Sequence, residues 1–272
     1  MVKNIYIWLT ILFGVTTGCN LEKDITIDLP PYNPQPVVEC YIEPGKPYRL
    51  ALFESVDYFN IPNNPTLPDA LVIITYNGIN DTLKYQIIPD TLEGKLYNYV
   101  GDTSKKVPYD YTNPFSLYIK DSKGRVITST TYIPKPPLID SIWFVFNNEG
   151  RATSNIRFQD IDPTVQNYYR YLVVVNPVVF TEKGDLLFSD RLITSSTIQI
   201  TSRSTVEPGI IEINLLHLTP DHYNYLRSAD DADNANGDPF AQPAVVKSNV
   251  NGGIGIFTGL SADRRLITVP TP

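Results

Sequence analysis

The chain has 272 residues, 42% of them hydrophobic and 19% charged, with a formal net charge of −7 at pH 7. That is too apolar for a disordered chain, leaves room for one large domain or two modest ones, and excludes a surface built to neutralise nucleic-acid phosphates. Twenty-three prolines and 18 tyrosines beside a single methionine argue against a helical bundle, and two histidines with two cysteines leave little for an ordinary zinc enzyme.

The chain opens with Lys3 and then an apolar run from Ile5 to Val15, interrupted by Thr10 and Gly14. A membrane span needs about 20 apolar residues, so this run fits the core of a signal peptide instead. Thr16-Thr17-Gly18 leads into Cys19. Small residues ahead of a cysteine at this distance are the pattern of a lipoprotein signal, although Thr16 stands where Leu is usual. Residues 1–18 are therefore read as the signal and Cys19 as the acylated mature N-terminus, carrying fatty chains such as palmitate. Asn20-Leu21-Glu22-Lys23-Asp24 resembles the surface-export signal of Bacteroidota lipoproteins. The expected location is the outer membrane, lipid-anchored and facing the cell exterior. Residues 19–36 hold Pro30, Pro31, Pro34 and Pro36 and read as a semi-stiff tether.

Short runs of β-branched and aromatic residues follow, separated by turn residues. Strands are predicted at 37–43, 48–55, 70–77, 81–88, 96–100, 115–121 and 125–133. Cys40 sits within the first and reads as a buried small hydrophobe, since no basic neighbour would lower its pKa. Asn77-Gly78 suits a hairpin turn. Phe115, Leu117 and Ile119 share one face of their strand, and Ser116, Tyr118 and Lys120 the other.

Prolines 134, 136 and 137 mark a linker over 134–138. Beyond it strands are predicted at 139–146, 153–159, 168–176, 185–194, 197–202, 209–216, 244–250, 253–259 and 264–269. One short helix is predicted near 220–229: Thr219 can cap it, Pro220 suits its first position, and Asp221 complements its positive end. The expected fold is all-β: two β-sandwich domains of immunoglobulin or transthyretin type, 37–133 and 139–272, with the helix in the second.

Signals for chemistry are weak. Asp231, Asp233 and Asp238 could offer oxygens to calcium, but their spacing misses the EF-hand register, and a solvated loop is the plainer reading. His217 and His222 are five apart, where a helical zinc pair wants four. Gly252, Gly253, Gly255 and Gly259 lie inside an apolar β run, which marks a bulge or close backbone approach better than a phosphate loop. No Gly-x-Ser-x-Gly elbow occurs. Tyr97, Tyr99, Tyr109 and Tyr111 form the candidate ligand or interface set, each pair spaced to share a sheet face. Tyr168, Tyr169 and Tyr171 form a second cluster. No catalytic residue and no cofactor is assigned.

Several pieces in order resemble the Bacteroidota outer-membrane lipoprotein family known as domain of unknown function 4249. They begin with Cys19, Asp28-Leu29-Pro30, Val37-Val38-Glu39 and Ala70-Leu71-Val72. They continue with Ile139-Asp140-Ser141-Ile142, Asn167-Tyr168-Tyr169-Arg170 and Asp238-Pro239-Phe240-Ala241. The tail supplies Ser248-Asn249-Val250 and Gly252-Gly253-Ile254-Gly255-Ile256-Phe257. Cys40 stands where the pattern has a small glycine. The resemblance implies a β-sandwich surface lipoprotein that partners a TonB-dependent outer-membrane transporter, and it carries over no catalytic residue. The expected function is therefore a non-enzymatic ligand-binding or accessory protein. The alternatives are an adhesin or structural module and, third, a surface glycan hydrolase.

Overall fold

The computed structural model describes residues 32–57, 65–90, 94–175, 182–236, 242 and 244–272. Alternation of side chains builds its first strands. In β1 (Pro36–Ile42), Val38, Cys40 and Ile42 are buried in a core, while Glu39 and Tyr41 lie on the opposite face. Continuing the first half are β2 (Arg49–Glu54), β3 (Leu71–Tyr76), β4 (Ile79–Asp90), β5 (Lys95–Val100), β6 (Phe115–Lys120) and β7 (Val126–Thr131). In β6 the burial alternates as the sequence predicts, with Phe115, Leu117 and Ile119 inside. Asn77 and Gly78 join β3 to β4 with φ of 47° and 74°, the backbone of a two-residue hairpin.

The second half holds β8 (Ile139–Phe146), β9 (Ala152–Gln159), β10 (Tyr168–Val175), β11 (Glu182–Ser189), β12 (Thr197–Val206), β13 (Gly209–Leu218), α1 (Pro220–Asn236) and β14 (Ile254–Val269). The protein is all-β with one helix among the described residues. Eleven strands form one sheet in the order β11-β10-β13-β14-β1-β2-β5-β4-β3-β6-β7, and β12-β9-β8 form a second. β14 pairs parallel with β1 through its first six residues and antiparallel with β13 through the rest.

The long sheet returns on itself. Thr128 of β7 and Asn251, just ahead of β14, exchange both backbone hydrogen bonds at 3.0 and 2.9 Å. The first core is thereby wrapped by β1–β7 and receives Phe257 from β14. A second core lies between the small sheet and the other end of the long one. There Ile156, Phe158 and Ile198 pack with Tyr169, Tyr171 and Ile213. Residues 34–272 make one compact unit. The proline-rich segment passes from one core to the other, with Pro134 and Pro137 buried. His217 Nδ1 lies 2.7 Å from the Lys135 carbonyl, and a carbonyl only accepts, so the proton sits on Nδ1.

Three predicted elements are corrected. Residues 244–250 form no strand. Instead the Asn249 amide stands in for a strand backbone: its Oδ1 accepts from Phe257 N at 3.0 Å and its Nδ2 donates to Phe257 O at 2.9 Å. The strands predicted at 253–259 and 264–269 are one continuous strand of 16 residues. The helix runs past Ala229 to Asn236, through the acidic stretch read as a loop. Thr219 Oγ1 caps it by accepting from His222 N at 3.2 Å. Ala232 and Ala235 favour it, and no glycine interrupts before Gly237.

The glycines of β14 serve close approach, as predicted. A Cβ on Gly255, where φ is 118°, would fall well inside van der Waals contact of the Val38 carbonyl oxygen of β1. One on Gly259 would collide with the carbonyl oxygen of Tyr132, just beyond β7. Only backbone can yield at either place. Gly255→Ala and Gly259→Ala should each lower stability by about 2 kcal/mol or more, read from urea melts. Unchanged midpoints in both variants would show that these strands are not pressed together.

Candidate functional site

The strands β10 and β13 are apolar on both faces. Tyr169, Tyr171 and Val173 enter the second core from β10, while Leu172 turns to the opposite face. Leu216 and Leu218 of β13 do the same. A sheet with two apolar faces needs a second cover. α1 supplies part of it, laying Leu226 against the cluster of Leu172, Leu216, Leu218 and Leu260. Beside the helix a cavity of about 340 Å³ opens, within the size range of small-molecule sites.

Leu172, Val174, Leu216 and Leu260 give this cavity an apolar floor, and Tyr41 and Tyr97 add aromatic walls. Five cationic side chains also line it: Lys46, Arg49, Lys95, Arg170 and Arg264. Glu43 and Glu212 are the lining carboxylates. The cations are held from behind or from the side. Arg49 Nη1 reaches Asp90 Oδ2 at 2.6 Å, and its guanidinium lies 4.7 Å from the Tyr97 ring centre. Arg170 bonds Asp185 through Nε at 3.1 Å and Nη2 at 2.7 Å. Lys95 Nζ sits 3.5 Å above the Tyr41 ring. Glu43 takes Arg264 and, at 3.0 Å, Lys46. Burial opposes the charge of Glu43, but the hydrogen bond and charge of Arg264, with Lys46, outweigh it and hold the carboxyl below its usual value.

Behind this wall, Glu39 accepts from Tyr225 at 3.2 Å and Tyr41 at 3.4 Å. Burial, then the neighbouring Glu39 charge, pushes both phenols upward, so they remain protonated donors. A second concavity of about 450 Å³ adjoins along α1 and shares Arg170 and Leu226. It is salt-like, with Arg203 and Arg227 beside Asp185, Asp230 and Asp231.

Of the four candidate tyrosines, Tyr97 alone lines the cavity. Tyr99 belongs to the first core, where its hydroxyl meets Leu67 O and Ala70 N. Two residues apart on one strand, they would ordinarily share a face. Asn98 interferes: its amide takes both backbone groups of Leu52 at 2.8 Å, and the β2–β5 ladder stops after two pairs. Tyr109 is exposed, and Tyr111 packs partly against the first core. In the second cluster, Tyr168 packs against Tyr223 of α1, with ring centres 4.8 Å apart and the planes tilted by 44°. Asp231 and Asp233 lie on α1, two positions apart and so on different faces of the helix. Among the described residues no three metal-ligating side chains converge. Cys19 and Asp238 lie outside the described residues. Cys40 is wholly buried and its thiol is pushed up by that burial, in keeping with a packing role.

Sequence reasoning did not single out Arg49, Lys95, Arg170, Arg264 or His222 for this site. The usable signal was the double-sided apolarity of β10 and β13, which demands a cover on the second face.

His222 lines the cavity, lies 5.3 Å from Tyr41, and is buried. Burial first, then the positive charges of Lys95 and Arg170, lowers its pKa to about 3. In the unfolded chain histidine titrates near 6.5. Between these values the unfolded chain holds more protons, so stability rises with pH across the window and falls as pH drops below about 6.5. His222→Phe should remove about 2 kcal/mol of the stability difference between pH 6.5 and 4.5, read from urea melts at both pH values. An identical difference in the variant would show that this imidazole is not held neutral.

No curated protein matches the chain. A family model described as Domain of unknown function (DUF4249) matches residues 22–265. That span contains every residue lining the cavity. The chain therefore belongs to the DUF4249 family.

Proposed function

We propose that this protein is a non-enzymatic binding lipoprotein of the outer membrane, anchored by acyl chains on Cys19 and facing the cell exterior. In this reading it captures a small ligand in the cavity beside α1 and serves a TonB-dependent transporter as an accessory subunit. The observation that carries the reading is the cavity: an apolar floor, a ring of oriented charges, and a size suited to one small molecule. No helix among the described residues is long and apolar enough to cross a membrane. Two or more acyl chains would give a stable anchor, at about 0.8 kcal/mol per buried CH₂. The prolines of residues 19–36 would then hold the binding unit away from the lipid. Tethering raises the local concentration near a membrane partner, so a modest affinity for that partner suffices.

Glycan hydrolysis is less well supported. It requires one carboxyl that stays protonated to donate to the leaving oxygen. Of the two carboxylates lining the cavity, Glu43 is held ionised by Arg264 and Lys46 and so does not supply that acid.

In the native host, Cys19→Ala should abolish incorporation of labelled palmitate and move the protein out of the membrane pellet. A variant that still pellets with the outer membrane would contradict the anchor. Gentle solubilisation of the wild type, followed by identification of bound chains, should recover a transporter; recovery of this chain alone would remove the accessory role.

A further inference from the structure

Resting on the reading of the cavity as a capture site, we infer that its ligand is an organic anion with an apolar body, a carboxylate or other acid head on an aliphatic or aromatic group. The chain is acidic overall, yet five of its 22 lysines and arginines line this one cavity against two carboxylates. Glu43 is already engaged by Arg264 and Lys46, so it offers little to a cationic ligand. Asp90 and Asp185 pair with Arg49 and Arg170 without lining the cavity themselves. They hold those guanidiniums in place at the cavity wall, where their positive charge faces the ligand.

Two further observations come from the walls. His222 and Asn214 are both more than nine-tenths buried and line the cavity. His222 Nδ1 and Asn214 Oδ1 have no hydrogen-bond partner in the protein. A buried polar atom left without a partner is costly. Asn214 Oδ1 only accepts, so an acid head does not satisfy it; of the two, His222 Nδ1 alone can serve an anion. The charges that bear on His222 are those of Lys95 and Arg170, both positive. A neutral imidazole beside two cations is suited to donate to an acid head. The leucines and Val174 beneath exclude water and strengthen that contact. A fully polar anion would leave this floor wet, whereas an apolar body covers it.

The test is calorimetry on the full chain in a non-ionic detergent, with empty micelles as the blank. 4-Phenylbutyrate is titrated against its neutral isostere 4-phenylbutyramide. The acid should bind at one saturable site, at least ten-fold tighter than the amide, and weaken as salt rises. Lys95→Met and Arg170→Met keep apolar surface and remove charge. Each should weaken the acid several-fold and leave the amide unchanged, while Lys123→Met, on a cation remote from the cavity lining, should change neither. Competition with phosphatidylglycerol vesicles assigns the natural head: displacement points to a lipid, and no displacement to a free acid, with the anion preference upheld in both. Equal binding of acid and amide, lost in the floor-filling variant Leu216→Phe, overturns the anion preference but leaves ligand capture standing. If neither compound binds, the inferred ligand class is wrong, and so is capture of small apolar molecules at this site.

Discussion

The fold depends on close backbone packing where the first half of β14 is pressed between β1 and the end of β7. Gly255 and Gly259 stand against carbonyl oxygens of those neighbours, so neither position has room for a side chain. Its parallel partner β1 is the earliest described strand, and β14 is the last. The first core is therefore closed only when the end of the chain arrives, and it takes Phe257 from that end. Contacts of such sequence separation make folding slow, because chain entropy is lost before the contacts are gained. The prolines between the two halves do not divide the sheet; they carry the chain across a seam that β14 closes.

That seam also creates the cavity. β14 lies between β13 and β1 in the long sheet, so the outer face of β1, β2 and β5 continues into the outer face of β10 and β13. Tyr41, Arg49, Lys95 and Tyr97 come from the first half, and Arg170, Leu172, Asn214 and Leu216 from the second. α1 covers part of this face through Leu226 and leaves the rest open as the cavity. Its capping residue Thr219 shares a 2.8 Å hydrogen bond with Thr258 of β14, so the helix start is fastened to the same strand.

What could be read from the sequence was local and one-sided. The alternation in β6, the Asn77-Gly78 turn and the glycines of β14 each depend on near neighbours or on one face of a strand, and all three appear as predicted. Two of the misreadings share a physical origin in side chains that replace backbone. Asn249 pairs with Phe257 as a strand would, so residues 244–250 reach β14 through one side chain and form no ladder. Asn98 takes the backbone groups of Leu52 and breaks the spacing that should have kept Tyr97 and Tyr99 together. The cavity itself depends on strands brought side by side by β14, which no local pattern encodes. Of the four tyrosines chosen from sequence, Tyr97 alone reaches it, next to Asn98 and at a register shift between β4 and β5.

The pieces that carry the family resemblance have roles that can be stated. Val37-Val38-Glu39 and Gly252 to Phe257 form the parallel seam. Asn249 extends it. Asn167 ties a loop together, its backbone N–H and side-chain amide donating to the two oxygens of Asp190, both at 2.8 Å. Tyr169 fills the second core, and Tyr168 meets the helix. Arg170 alone in these pieces lines the cavity. The resembling residues thus frame the cavity more than they furnish it. A shared frame does not assign a shared ligand. On the proposed reading, selection of a ligand would fall to Lys46, Arg49, Lys95, Asn214, His222 and Arg264, which line the cavity and lie outside the resembling pieces.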